Sequence, residues 1–132
     1  MKKRFPLKKQ SAKGRLKKQD YTAAYKAQDQ GVLDEFGYLF CVSCLSSNIG
    51  GGHSHNMPVA HYKELESDPR NFALRCMECH NALDYPNFQK IVLFRDFHNL
   101  MAYRKEKDIY AFNKWVSCLL AIGYTEYQYI QE

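Results

Sequence analysis

Cys41-Val42-Ser43-Cys44 opens, and Cys76-Met77-Glu78-Cys79-His80 closes, the stretch that decides how this chain folds. A Cys-x2-Cys turn presents two sulfurs to one metal ion, and two such turns complete the closed tetrahedral site that zinc adopts in structural roles. Cys41, Cys44, Cys76 and Cys79 are therefore read as one structural Zn2+ site. The chain between them is long enough for a β-hairpin. It carries Gly51-Gly52-His53-Ser54-His55-Asn56-Met57-Pro58 and later Asp68-Pro69-Arg70-Asn71-Phe72.

Working outward, residues 36–40 read as a short strand entering the first cysteine pair, and 46–52 as a glycine-rich turn. Three consecutive glycines serve either as a linker or as a place where backbone can approach a phosphate closely. Residues 61–66 fit a turn of helix, and Asn71 to Arg75 alternate as a half-buried strand with Phe72 and Leu74 inward. The second cysteine pair should lead into a helix over 77–84, ended before Pro86, because the residue preceding a proline is disfavoured in helical geometry. Upstream, a helix over 20–30 is capped by Asp20 and halted by Gly31, with Tyr21, Ala24, Tyr25 and Gln28 on the face that leans on the cysteine core. Downstream, one stripe runs over 88–101 through Leu93, Phe97, Leu100 and Met101. A second uses Ile109, Phe112, Val116, Leu119 and Leu120, ended by Gly123. The expected class is α+β: a small zinc-stapled core over 36–86, with mostly α-helical flanking segments that include C-terminal helices over 87–123.

Placed inside the cysteine clamp, the order His55, Asn71, His80 resembles the HNH endonuclease family, the ββα-metal or His-Me finger type on a treble-clef zinc scaffold. The resemblance covers about a third of the chain. It rests on the four cysteines, His55-x-x-Pro58, Asn71-Phe72 five positions ahead of Cys76, and the Cys76-x2-Cys79-His80 ending. It implies a phage or mobile-element DNA endonuclease in which His55 is the general base, Asn71 orients it and braces the hairpin, and His80 binds a catalytic divalent ion (Mg2+, Mn2+ or Zn2+) distinct from the structural zinc. Asp84 stands one helical turn after His80, so it can share that ion; it can equally be a polar residue that closes the helix. Many members carry an acidic residue or a histidine just before the base, where this chain has Ser54. His53, two residues from His55 on the same strand face, can compensate as a metal ligand. It can also be the base itself, if Gly52-His53 is the entry used by some phage recombination nucleases.

Charge is distributed unevenly along the 132 residues, whose formal net charge is +5. Residues 1–20 hold nine basic side chains (Lys2, Lys3, Arg4, Lys8, Lys9, Lys13, Arg15, Lys17 and Lys18) against Asp20, leaving ten basic and thirteen acidic residues for the rest. Such a basic arm is expected to be flexible alone and attracted to the phosphates of DNA, the alternatives being a solubilising tail or a membrane-surface contact. The remainder, 21–132, reads as a single domain. No apolar run is long enough to span a bilayer, the basic start lacks the apolar part of a secretory signal, and the cysteines are paired for metal rather than as a disulfide framework. A cytoplasmic protein, in a phage-infected or host bacterial cell by the resemblance, without a membrane partner, is the expectation. Oligomeric state leaves no legible signal.

Three functions compete. A metal-dependent endonuclease uses all of His55, Asn71 and His80. A non-catalytic zinc module that grips nucleic acid needs only the cysteines and the basic arm, and Ser54 favours it. A purely structural zinc fold that binds another protein needs the cysteines alone. The joint presence of the three residues favours the endonuclease.

Overall fold

A computed structural model describes residues 12–124, with side chains from residue 21 onward. The chain is α+β: five α-helices and one two-stranded sheet among the described residues, in the order α1 (Ala12–Phe36), β1 (Gly52–His55), β2 (Phe72–Arg75), α2 (Met77–Asp84), α3 (Phe88–Ile91), α4 (Phe97–Lys107) and α5 (Ile109–Ala121). A single 3-10 turn, Lys63–Leu65, sits between the strands where a turn of helix is expected.

The helix predicted over 20–30 is longer at both ends. It passes through Gly31, which is exposed, with nothing within 4 Å of where a Cβ would stand. A glycine there costs only about 1 kcal/mol relative to alanine, too little to stop a helix anchored on both sides. Gly37 is the actual stop, with φ +81° and its N–H donating to the Leu33 carbonyl at 2.8 Å. At the other end α1 reaches Ala12, so Lys13, Arg15, Lys17 and Lys18 stand on helical backbone. Lys2, Lys3, Arg4, Lys8 and Lys9 lie outside the described residues.

The strand predicted over 36–40 does not form, because among the described residues the sheet has only β1 and β2, paired with each other. Its aromatics pack among themselves instead, Phe40 lying 5.2 Å from Phe36 and 5.4 Å from Tyr38. A backbone bond from the Val42 N–H to the Leu74 carbonyl (3.0 Å) ties the first cysteine turn to β2.

β1 and β2 pair antiparallel with Gly52 opposite Arg75, His53 opposite Leu74, Ser54 opposite Ala73 and His55 opposite Phe72. Phe72 and Leu74 are buried as expected. The predicted stripe over 88–101 splits into α3 and α4, and Leu93 in the break is 78% exposed. The break positions Asp96, which binds both Ser43 and Arg75 across the fold. In α5 the inward residues are Phe112, Trp115 and Leu119, whereas Ile109 and Leu120 face outward. Cys41, Cys76 and Cys79 belong to the same buried cluster as Leu83, Ile91, Phe94, Phe97, Leu100, Met101, Phe112, Trp115 and Leu119. The C-terminal helices thus complete the core that the small cysteine unit lacks.

Candidate functional site

The four cysteines predicted to act together do meet. The Sγ atoms of Cys41, Cys44, Cys76 and Cys79 all lie within 4.8 Å of one another. Cys44 and Cys76 stand 3.7 Å apart, close to the edge of about 3.8 Å that a tetrahedron of sulfurs has around zinc at about 2.3 Å. The first turn closes by Leu45 N–H to Cys41 carbonyl (2.8 Å), with Leu45 at φ +66°. In the second, Cys76 Sγ caps α2 by accepting from the Cys79 N–H at 3.4 Å. Burial pushes the Cys79 thiol far up, and the neighbouring sulfurs push it further. Burial opposes ionisation of Cys41 as well, yet backbone N–H groups of Cys76, Cys44 and Ser43 bring its thiol below the ordinary value. Four sulfurs this close can all be thiolates only around a cation, so the donor set fits a metal such as zinc.

Alternation along β1 sorts the histidine region into two faces. His53 and His55 point to the side covered by α1, and Ser54 points to the side covered by α2. On the α1 side, Tyr25 stacks on His53 with centroids 4.1 Å apart and planes 11° apart, and meets Phe72 edge-on at 4.6 Å. His53 Nε2 lies 2.9 Å from Asp29 Oδ1. His55 Nε2 faces two oxygens, the Glu66 carbonyl at 3.3 Å and the Tyr25 hydroxyl at 3.4 Å. A carbonyl can only accept, so Nε2 carries the proton and Nδ1 carries the lone pair. Burial holds the His55 pKa below its ordinary value, against the smaller upward pull of Glu66, and keeps the ring neutral at physiological pH.

On the α2 side, Ser54 is fully buried, and its Oγ is 2.9 Å from His80 Nδ1. His80 Nε2 is 3.0 Å from Asp84 Oδ2, one turn along the same helix. A carboxylate can only accept, so neutral His80 has its proton on Nε2 and takes the Ser54 hydroxyl proton at Nδ1. The approach of β1 to α2 requires Gly51. A Cβ there would stand 2.8 Å from the Arg75 carbonyl, the Cys76 carbonyl and His80 Cβ alike. Gly51 is thus explained by contact within the protein, and Gly52 by its left-handed backbone at φ +66°. His53, predicted as a compensating metal ligand, stands on the opposite face from Ser54 and His80.

Asn71, fully buried, spends its amide on backbone. Nδ2 donates to the carbonyls of Met57 (3.1 Å) and Leu65 (3.2 Å), and Oδ1 accepts from the Met57 N–H at 2.7 Å. It braces the loop between β1 and β2; the bonds to the His55 ring come from Glu66 and Tyr25 instead. Arg75, at the end of β2, is buried. Nε donates to Ser43 Oγ (2.9 Å), Nη1 to the Ser54 carbonyl (2.9 Å) and Nη2 to Asp96 Oδ2 (2.6 Å). Arg70 is exposed and paired with Glu106. Sequence reasoning missed Arg75, Asp29 and Asp96 as site-shaping residues, because each acts through a partner more than 20 positions away. The placing of Tyr25 and Gln28 on the inward face of a helix was the one available signal.

Among the described residues, no other group of three or more His, Cys, Asp or Glu side chains converges as the four cysteines do. No described helix is long and apolar enough to cross a membrane. No family model, curated protein or solved structure matches the chain.

Proposed function

We propose that this chain is a metal-dependent endonuclease of the HNH type, hydrolysing DNA phosphodiester bonds from a ββα core on a treble-clef-like zinc scaffold. The observation that carries the reading is the state of His55. It is a neutral imidazole at the end of β1, its Nε2 proton directed at the Glu66 carbonyl and its Nδ1 lone pair left to take a proton. A positioned base of this kind contributes about two to four orders of magnitude to hydrolysis.

In the proposed reaction a water oxygen attacks phosphorus while His55 Nδ1 takes the water's proton. The bond from phosphorus to the 3′ oxygen breaks, that oxygen gains a proton from solvent, and the products are a 5′-phosphate and a 3′-hydroxyl. His80 and Asp84 would hold a divalent ion once His80 takes its other tautomer, with Nδ1–H donating to Ser54 Oγ and the Nε2 lone pair free to ligate: Nε2 and Asp84 Oδ2 are 3.0 Å apart, about the spacing of adjacent ligands around Mg2+, and the two side chains are 26% and 50% exposed. Two protein donors leave positions for water and phosphate oxygens, as is usual for Mg2+. When bound, such an ion supplies charge stabilisation for the phosphoryl group and the departing oxygen. Ser54 Oγ would accept from His80 Nδ1 and so leave Nε2 for the ion, Asn71 holds the loop that supplies Glu66, and the zinc cysteines fix α2 against the hairpin. The basic residues of 1–20 supply phosphate affinity, and the paired thiols suit the reducing cytoplasm.

A second reading, a zinc module that binds nucleic acid without cutting, is favoured by one observation. Ser54 stands where an acidic ligand is usual, and it is buried and committed to His80. Incubating the zinc-loaded protein with plasmid and branched DNA, with and without magnesium or manganese and beside His55→Ala, separates the two.

A further inference from the structure

The residues at 25, 28 and 29 project from one face of α1 by helical spacing, and each makes a polar contact with the strands or the loop that joins them. Gln28 Nε2 donates to the carbonyls of Pro69 (3.0 Å) and Phe72 (2.7 Å), at the start of β2. Asp29 holds His53 at 2.9 Å. Tyr25 lies between them, its ring face on His53, its edge on Phe72 and its hydroxyl 3.4 Å from His55 Nε2. A helix docked only to bury apolar surface would not match the polar groups of three side chains to four polar partners. The polar matches fix both the rotation and the height of α1 over β1.

We propose that Tyr25, clamped over the hairpin by Asp29 through His53, is a positioning residue for His55. The inference rests on the reading of His55 as the base. The Glu66 carbonyl and the Tyr25 hydroxyl both face Nε2, and the Tyr25 ring lies tilted 6.2 Å from the imidazole, so the two groups together hold the Nε2 edge of the ring and leave Nδ1 as the base nitrogen. Burial and the nearby Glu66 charge keep the Tyr25 phenol protonated, so no charge is placed against the ring. α1 then has two duties along its length: its basic N-terminal half contributes to phosphate affinity, and the turn from Tyr25 to Asp29 contributes to turnover. The first should appear in KM and the second in kcat.

The test uses full-length zinc-loaded protein with supercoiled plasmid DNA and magnesium or manganese. Tyr25→Ala should lower kcat about tenfold or more with KM within about twofold, the scale expected when a reacting group loses its orientation. Tyr25→Phe, which keeps the ring, should stay within about threefold of the parent. Nitrogen-15 shifts of the His55 ring should show the Nε2-protonated tautomer in the parent and in Tyr25→Phe, and a mixture in Tyr25→Ala. Equal kcat and equal shifts in Tyr25→Ala overturn the proposal. So does a loss confined to KM, which would make Tyr25 a DNA contact. Should Tyr25→Ala fail to fold, Asp29→Asn decides, with a kcat drop of about threefold or more expected at unchanged melting temperature and no change overturning the claim. If the parent cuts no DNA, the endonuclease reading fails, and the tautomer comparison still decides the positioning claim on its own.

Discussion

His55 and Gly51 carry the sharpest expectations at the scale of single residues. Burial disfavours the imidazolium of His55, so its pKa lies below the ordinary 6.5. A histidine base works only when neutral; on the proposed role of His55, kcat/KM for cleavage should therefore rise with pH, inflect below 6.5 and be flat at neutral pH. A pH–rate profile that inflects above neutrality for this limb contradicts the assignment. Gly51→Ala should destabilise the fold by about 1 to 3 kcal/mol, because backbone on two residues and the His80 side chain must give way together. Thermal denaturation measures it, and an unchanged melting temperature would show that the approach of β1 to α2 is looser than described. Side-chain identity made His55, Asn71, His80 and the four cysteines legible in sequence. Ser54 was legible only as a departure, since its role depends on His80, a residue 26 positions away that folding brings to 2.9 Å.

At the scale of elements, the strongest joint is the one that Arg75 makes. From the end of β2 it binds the first cysteine turn through Ser43, β1 through the Ser54 carbonyl, and the α3–α4 break through Asp96. Removing one partner of a buried ion pair leaves the other stranded, and Asp96 keeps only the Ser43 hydroxyl. Arg75→Ala should therefore cost about 3 kcal/mol, read by urea denaturation, with the loss much reduced when Asp96→Ala is already present. Full additivity of the two substitutions would mean the pair is not coupled. This joint also explains why the helical pattern of 88–101 misleads. Its apolar spacing suits one helix, but the chain breaks so that Asp96 can meet Arg75, and nothing local to that segment announces a partner 21 residues upstream. β2 and α2 were legible because alternation and the Pro86 stop are local signals. The strand at 36–40 was not, because a strand requires a partner that the sheet does not supply.

For the whole molecule, the cysteine cluster and the helical core are one unit. Cys41, Cys76 and Cys79 are buried with side chains of α2, α3, α4 and α5, so metal binding and closure of the core should be a single event. About one zinc per chain is expected on metal analysis, and chelation or Cys76→Ser should lower the melting temperature by about 10 °C or more. A zinc-free protein that melts where the loaded one does would contradict this coupling. The α+β class and the site's chain order were readable at this scale because they follow from spacing. The cover that α1 places over His53 and His55 was readable only as an inward face, since the sequence shows which side of α1 is less polar but not what it lies against.

The measurement that bears most directly on the central claim is cleavage of plasmid and branched DNA by the zinc-loaded chain with magnesium or manganese, run beside His55→Ala. Divalent-ion-dependent cutting by the parent is predicted, reduced by about two orders of magnitude or more in His55→Ala while DNA binding is nearly intact. A parent that binds DNA but cuts with no divalent ion, or a His55→Ala variant that cuts as well as the parent, would contradict it.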